Sequence, residues 1–212
     1  MNLNGLSTAD LLAGKLKELI NRGFFPDGAR LIERDIATQF SVSRIPVREA
    51  IHQLERQRIV DVYRNRGAVV RKLSDVEVRD IFKLRALLEG DAIYDAVINI
   101  DTGVLKRAEL VHSLLGETNI SEKQGILNLE FHNLLYSTCK NERQLTLIQE
   151  LRDQIERYEH LQRRLLADTK KFQHDHAAIL AACKKKDAAL ARKETVSHIL
   201  SAGDVLREFI NR

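Results

Sequence analysis

The sequence predicts a mainly α-helical protein of two domains, with one short β-hairpin in the first. Apolar residues recur at three- and four-residue spacing along most of the 212-residue chain, which is typical of helices with one buried face. Only the runs 59–63 and 68–70 change to short β-prone segments, on either side of the turn-prone Arg64-Asn65-Arg66-Gly67. Residues 1–72 contain 13 Lys and Arg against 8 Asp and Glu, whereas 73–212 contain 21 against 22. This step in charge places the domains at 1–73 and 74–212.

The first helix is predicted to begin at Ser7, where Ser7 and Asp10 form a capping start, and to end at Arg22-Gly23. Its expected role is to pack behind the elements that follow it. Arg30-Leu31-Ile32 is a candidate short strand that would pair with the hairpin.

Two short helices joined by a tight turn follow. The first is predicted over 33–40, and the second opens at Ser43, whose hydroxyl is suited to cap it, with Pro46 in its first turn. The inner face of the second helix is predicted to consist of Val47, Ala50, Ile51 and Leu54.

Arg44 and Arg48 then lie four residues apart on the outer face of the second helix, near its N-terminus. In helix-turn-helix proteins this end enters the major groove of DNA, where arginine can pair with guanine. Arg34, one helix earlier, could reach a phosphate. The alternative interpretation is that these arginines only form a solvated face.

The hairpin has the features of a DNA-binding wing. Gly67 permits a positive φ and a close backbone approach, and Arg64 and Arg66 place charge at the tip, where a narrow minor groove would attract it. The first domain is therefore predicted to be a winged helix-turn-helix.

The second domain is predicted to be an all-helical antiparallel bundle of six helices. Ser74-x-x-Glu77 is a capping box for the first, and the others run near 102–116, 122–139, 142–166, 169–185 and 187–211. The mixed charges of 142–166 are interpreted as a solvated face. No apolar run approaches the roughly 20 residues of a membrane span, and no signal peptide is evident, so we expect a cytoplasmic protein. Cys139 and Cys183 are expected to be reduced, partly buried thiols.

Three histidines stand out by position. His132 lies four residues after Asn128 on one predicted helix, and His176 and His198 lie beside the apolar seams of the last two helices. Three imidazoles and an amide oxygen could close on one metal ion. From spacing alone the metal site is a weak prediction, because a histidine beside an apolar seam is more often a hydrogen-bonded core residue. His174 should point away from His176.

Two long stretches of the chain carry a resemblance to a known family. The run "GARLIERDIATQFSVSRIPVREAIHQLE" with "NRGAVV" resembles the winged helix-turn-helix of the GntR transcription regulators. The segments "RALLEG", "NLEFH" and "HAAILAACKKKD…H" resemble the FCD ligand-sensing domain of the FadR subfamily. Together these cover nearly all of the chain. Six predicted helices, rather than seven, favour the VanR-like branch.

The resemblance implies specific roles for residues of both domains. It implies that Arg34, Ser43, Arg44 and Arg48 contact operator DNA, with Arg66 and Gly67 at the wing tip in the minor groove. In FCD domains the Asp of D-x-x-F-H and three histidines bind a divalent ion, and a small carboxylate effector completes its coordination. The corresponding residues here are Asn128, His132, His176 and His198, with Arg85 as the residue that aids effector binding.

The departure from the family pattern is Asn128, where an Asp is usual. A neutral amide oxygen can still ligate a metal, but the site loses one negative charge. This should weaken metal binding and leave the ion more attractive to an anionic effector. Zn is the expected ion, with Ni or Mn as alternatives.

The expected function is therefore that of a homodimeric, metal-containing regulator, usually a repressor, which binds a pseudo-palindromic double-stranded operator and responds to a small organic or sugar acid. An enzyme that uses the histidines is disfavoured, because no motif such as H-E-x-x-H places a carboxylate beside them. A constitutive DNA-binding protein is the remaining alternative, if Asn128 has abolished the metal site.

Overall fold

The computed structural model describes residues 6–63, 67–165 and 170–211. The chain divides into two compact units. The first consists of Met1–Leu73 with Asp153–Arg157, and the second of Ser74–Arg152 with Tyr158–Arg212. None of the helices in the described ranges combines the length and apolar character needed to cross a membrane.

The first unit contains three helices and a three-stranded antiparallel sheet. In chain order its elements are α1 (Thr8–Asn21), β1 (Arg30–Leu31), α2 (Glu33–Gln39), α3 (Arg44–Arg56), β2 (Val60–Tyr63) and β3 (Gly67–Val70). The strand order is β1-β3-β2, so the second strand of the hairpin is central. Arg30 is opposite Val69, which confirms the predicted pairing of the short strand with the hairpin.

The predicted start of α1 is confirmed. The Ser7 side chain accepts a hydrogen bond from the Asp10 amide at 3.1 Å, and the Asp10 carboxylate accepts one from the Ser7 amide at 2.9 Å. This reciprocal pair satisfies amide groups that have no partner within the helix. Arg22 is the C-cap residue of the helix, and Gly23 follows with φ +81°.

The second helix of the pair begins where the sequence predicts, but without the predicted cap. Ser43 is the N-cap residue of α3, and its side chain makes no capping hydrogen bond. The third helical residue is Pro46, which lacks the N–H that a serine cap normally binds. The predicted inner face is confirmed, since Val47, Ala50, Ile51 and Leu54 are all buried.

Gly67 has φ +77°, as predicted from its place in the turn. A Cβ at this position would lie 3.4 Å from the Leu31 carbonyl oxygen, so the backbone also runs close to β1 here. Arg66, a predicted DNA contact, and Arg64, the other predicted charge at the wing tip, lie outside the described residues.

Every regular element of the second unit, among the described residues, is a helix. In chain order these are α4 (Asp75–Val97), α5 (Thr102–Glu117), α6 (Ser121–Tyr136), α7 (Glu142–Leu165, of which Asp153–Arg157 belongs to the first unit), α8 (Lys170–Lys184) and α9 (Ala188–Ile210). The capping box at the start of α4 is present, with Ser74 and Glu77 bonded in both directions. The core contains Ile93, Phe131, Leu135 and Ile179, each with no measurable exposure.

Helices α4 and α9 pack at very close range. A Cβ at Gly203 would lie 2.6 Å from Cγ of Phe82, a distance that real side chains essentially never show. The absence of a side chain at Gly203 therefore permits the approach, and it fixes α9 against the helix that carries Arg85.

Candidate DNA-reading surface and histidine centre

The N-terminal end of α3 presents two exposed arginines that are held by one carboxylate. Arg48 donates from Nε to Oε1 of Glu33 and from Nη2 to Oε2, both at 2.9 Å. Arg44 donates from Nη2 to the same Oε2 at 3.1 Å. The hydrogen bond from Arg48, joined by that from Arg44, lowers the pKa of Glu33, so this carboxylate stays charged at neutral pH. The side chains of Arg44 and Arg48 remain 63% and 57% exposed.

The other residues of the predicted DNA contact lie around the same surface. Arg34 on α2 is paired with Asp35, Nε to Oδ1 at 3.1 Å, and its side chain is 79% exposed. An open groove of about 730 Å³ lies among α2, α3 and the hairpin. The predicted contacts that line this groove are Arg34, Arg44, Arg48 and Gly67. Ser43 is exposed at the start of α3 and is not part of the lining.

The second site is a group of three buried histidines. His132 comes from α6, His176 from α8 and His198 from α9, and their exposure is 2%, 1% and 5%. One ring nitrogen from each lies within 4.8 Å of the others. The Nε2 atoms of His176 and His198 are 3.2 Å apart. Two imidazoles bound to one tetrahedral zinc, each at about 2.0–2.1 Å, hold their nitrogens roughly 3.3 Å apart.

The opposite ring nitrogens support the same arrangement. Nδ1 of His132 lies 3.2 Å from the Tyr136 hydroxyl, and Nδ1 of His198 lies 3.4 Å from Oδ2 of Asp175. This leaves Nε2 of both rings available for a shared ligand, and ligating histidines usually have such a partner on the second nitrogen. Nδ1 of His176 is buried without a hydrogen-bond partner among the described residues.

The protonation state of the rings also suits a metal. Burial, with the neighbouring His176 and Arg152 next in importance, lowers the pKa of His132 well below its ordinary value of 6.5. Burial and His198 do the same for His176. Both rings are therefore neutral at physiological pH, which is the form that ligates a metal ion. The donor set fits a divalent cation.

Asn128 and His174 lie where the helix periodicity places them. Asn128 is half-buried on α6, one turn before His132, and so lies on the same side of the helix. His174 is exposed while His176 is buried, as predicted. Cys139 and Cys183 are free and buried, and burial raises the pKa of Cys183 to about 12.

Arg85 is buried and paired. It donates from Nε to Oε1 of Glu89 at 2.8 Å and from Nη1 to Oε1 of Glu159 at 3.1 Å. Glu89 has no exposure, and Arg152 of α7 also donates to it. The interpretation of the 142–166 charges as a solvated face is therefore wrong for Arg152, which is 8% exposed.

Glu89, Arg152 and Tyr136 are functional candidates that were not predicted from the sequence. Glu89 follows Arg85 by one helical turn, and the i,i+4 spacing of opposite charges was a signal that could have found it. Arg152 reaches Glu89 only because α7 packs near α4 in this unit, and no local pattern records that contact.

Comparison with known proteins identifies relatives over both halves of the chain. A model described as bacterial regulatory proteins, gntR family, matches residues 8–70, and an FCD domain model matches residues 80–201. The chain is 30% identical over 191 residues to the Nta operon transcriptional regulator of Aminobacter aminovorans, covering 88% of each chain. It is 27% identical over 205 residues to the HTH-type transcriptional repressor GlaR of Escherichia coli, covering 91% of this chain and 93% of that one.

Solved structures agree with these matches. A transcriptional regulator of Pseudomonas syringae, described as a GntR family member, has 30% identity and a TM-score of 0.61, over 96% of this chain and 86% of that one. Escherichia coli McbR/YncC has a TM-score of 0.84 at 22% identity, over 98% of this chain and all of that one. At this identity the second likeness concerns the fold alone.

Proposed function

The chain belongs to the GntR family of bacterial regulators, with an FCD domain after its helix-turn-helix, and we propose that it is a homodimeric repressor governed by a small carboxylate bound at the histidine centre. It is a transcription regulator and not an enzyme, as are its family and relatives. Assignment to the VanR-like branch stays a prediction. The proposed role as repressor is supported by the name of the related GlaR.

One observation carries the effector proposal. The histidine centre is joined by hydrogen bonds to a pair of buried guanidinium groups, through Tyr136 and Glu89. A divalent ion, when bound, supplies positive charge and coordination positions that are open to a carboxylate oxygen. Arg85 can orient the same carboxylate by charge-assisted hydrogen bonds, which favours small organic or sugar acids over neutral ligands.

The protein ligands proposed for the ion are all neutral. His132, His176 and His198 would bind through imidazole nitrogens and Asn128 through its amide oxygen. Because none of them offsets the charge of the ion, an anionic effector gains more from binding here than it would beside an aspartate. Imidazole-rich sites suit Zn first, with Ni or Mn as alternatives.

The DNA-reading surface is the part of the proposed regulator that would bind the operator. Arg44 and Arg48 would read guanine edges in the major groove, while Arg34 and Ser43 would contact phosphates. The wing, with Arg66 and Gly67, would enter the adjacent minor groove. A two-fold dimer presents two such surfaces, so the operator is proposed to be a short pseudo-palindrome.

The surface of α4 supports the proposed homodimer. Its exposed face carries Leu84, Leu87, Tyr94 and Ile98, at successive spacings of three, seven and four residues, with exposures of 49%, 64%, 41% and 65%. A row of apolar side chains on one helix face is costly to leave in water, and an isologous contact would bury two copies of it. Leu87→Lys should give a monomer by analytical ultracentrifugation, and an unchanged dimer mass would remove this face from the interface.

The function is tested with the full chain loaded with zinc. A duplex selected by the protein from a random library serves as operator, and a thermal-shift screen of organic and sugar acids supplies the ligand. The acid that stabilises the protein most should release the operator in a mobility-shift titration, and only when zinc is bound. Release without any bound metal would contradict the metal-site proposal. Operator binding that no acid of the screen changes would favour the constitutive alternative.

A further inference from the structure

We infer that Tyr136 and Glu89 form a hydrogen-bonded relay that fixes the ring of His132, so that its Nε2 faces the metal and its Nδ1 carries the proton. The expected effect on metal binding rests on the proposed metal site. The Nδ1–H form of His132, in contrast, is expected in the metal-free protein as well. Tyr136 and Glu89 are thereby positioning residues, which act on the metal through His132.

The geometry is a chain of short contacts inside the second unit. The Tyr136 hydroxyl lies 3.0 Å from Oε2 of Glu89 and 3.2 Å from Nδ1 of His132. Tyr136 is 2% exposed and Glu89 is not exposed at all. Because both groups are shielded from water, the contacts between them must satisfy their hydrogen-bonding needs.

The position of each proton follows from the charge of Glu89. Burial alone would raise its pKa, but the guanidinium groups of Arg152 and Arg85 lower the pKa of Glu89 to about 2. The carboxylate is therefore ionised at neutral pH and can only accept hydrogen bonds. The Tyr136 hydroxyl has a single proton, and its oxygen lies within hydrogen-bond distance of both Oε2 of Glu89 and Nδ1 of His132.

Tyr136 must then donate this proton to Glu89, because the reverse orientation would place an oxygen lone pair against a negative carboxylate. Its oxygen is left as an acceptor for His132, and Nδ1 of His132 must carry the hydrogen. The neutral ring then has its lone pair on Nε2. The relay thus selects the tautomer that can ligate an ion held with His176 and His198.

The relay also extends to Arg85, the proposed effector-binding residue. Glu89 accepts from Arg85 through Oε1 and from Tyr136 through Oε2, so three hydrogen bonds connect the Arg85 guanidinium to a metal ligand. A carboxylate that binds Arg85 acts on the same Glu89 that orients His132. Metal and effector sites are in this way linked by one buried carboxylate.

The first test measures the tautomer directly in the metal-free full chain. Nitrogen-15 labelling of histidine and a long-range proton–nitrogen correlation spectrum distinguish Nδ1–H from Nε2–H, with His132→Gln used to assign the signal. We expect the Nδ1–H form for His132 in the wild type. A predominant Nε2–H form would overturn the relay, whatever the protein does with metals.

The second test uses Tyr136→Phe, with Tyr63→Phe as a matched control at the exposed end of β2 in the first unit. Tyr136→Phe should weaken zinc binding by roughly 10- to 100-fold in a competitive chelator titration and shift His132 away from Nδ1–H. Tyr63→Phe should change neither. Wild-type zinc affinity in Tyr136→Phe would overturn the relay. A wild type that binds no divalent ion would instead overturn the proposed function, and the tautomer measurement would still decide the relay.

Discussion

Arg48 and Glu33 form a two-pronged ion pair on the reading surface, with Nε and Nη2 each 2.9 Å from a different carboxylate oxygen. A guanidinium has five N–H groups, and this pairing uses two of them. The remaining three include one on each terminal nitrogen, which is the pair that contacts O6 and N7 of guanine. The ion pair therefore orients Arg48 and leaves its end free to read a base.

Removing the charge of Glu33 should reduce discrimination between operator and random DNA. In Glu33→Gln, Arg48 loses its fixed orientation, which lowers operator affinity, while the added net positive charge favours phosphate contacts with any duplex. Mobility shifts on operator and random duplexes give the ratio of affinities. Glu49→Gln removes an exposed charge from α3, the helix that carries Arg48, and should keep the wild-type ratio. A Glu33→Gln ratio equal to that of this control would show that the ion pair does not position Arg48.

Truncating either reading arginine should cost operator binding more than random binding. Arg44→Ala and Arg48→Ala should each lose about 1–3 kcal/mol on the operator, the magnitude of a bidentate base contact, with much smaller losses on random duplex. Both duplexes are titrated at one fixed salt concentration. Equal losses on the two would assign these arginines to phosphate.

The stability of the metal-free protein should fall as the pH is lowered below 6.5. The pKa values of folded His132 and His176 lie well below 6.5, so below that pH the unfolded chain binds protons that the folded chain does not. The neutral rings therefore stabilise the folded protein fully above about pH 6.5. This stabilisation is lost as the pH falls towards the lowered pKa of the folded state. Urea midpoints between about pH 7.5 and about pH 5.5 measure the slope.

Two histidine variants distinguish the contribution of these buried rings to the pH dependence of stability from that of other groups. His176→Gln should flatten the pH slope, because it removes one of the buried rings. His174→Gln changes an exposed ring two residues away and should leave the slope unchanged. An equal slope in wild type and His176→Gln would mean that other groups cause the pH dependence.

The parts of the fold that depend on local spacing were predictable from the sequence. The inner face of α3, the capping boxes of α1 and α4 and the positive φ of Gly67 follow from residues within a few positions of one another. The absence of a capping hydrogen bond from Ser43 was also predictable from the sequence. Pro46 occupies the position whose N–H the hydroxyl would bind, and proline has no N–H.

The buried ion network was not predictable in the same way. Arg152 looks like any charge on a long amphipathic helix, and only the packing of α7 near Glu89 shows that it is buried. The convergence of three histidines from three helices likewise depends on tertiary packing. Spacing alone left their role open, and the family resemblance suggested the arrangement that the structure displays.

Replacing Asn128 should move metal retention and effector response in opposite directions. Asn128→Asp adds a full negative charge beside the proposed ion, which should tighten zinc binding. The same charge repels an anionic effector, so more acid should be needed to release the operator. Asn141→Asp adds the same charge at the exposed N-cap of α7 and serves as the control for both measurements. Tighter zinc binding with an unchanged effector response would contradict the proposed contact between ion and effector.

Regulation by an acid bound at the metal site is tested by an effector titration of the operator complex, made with zinc-loaded wild type and with His176→Ala. The acid selected by the thermal-shift screen is the probe, and zinc content after dialysis is recorded for each sample. We expect wild type to retain zinc and release the operator as the acid is added. His176→Ala should lose the metal and the response, yet bind operator without effector nearly as well as wild type, because the reading unit has its own core. Full release by the same acid from a His176→Ala protein that holds no zinc would contradict regulation through the metal site.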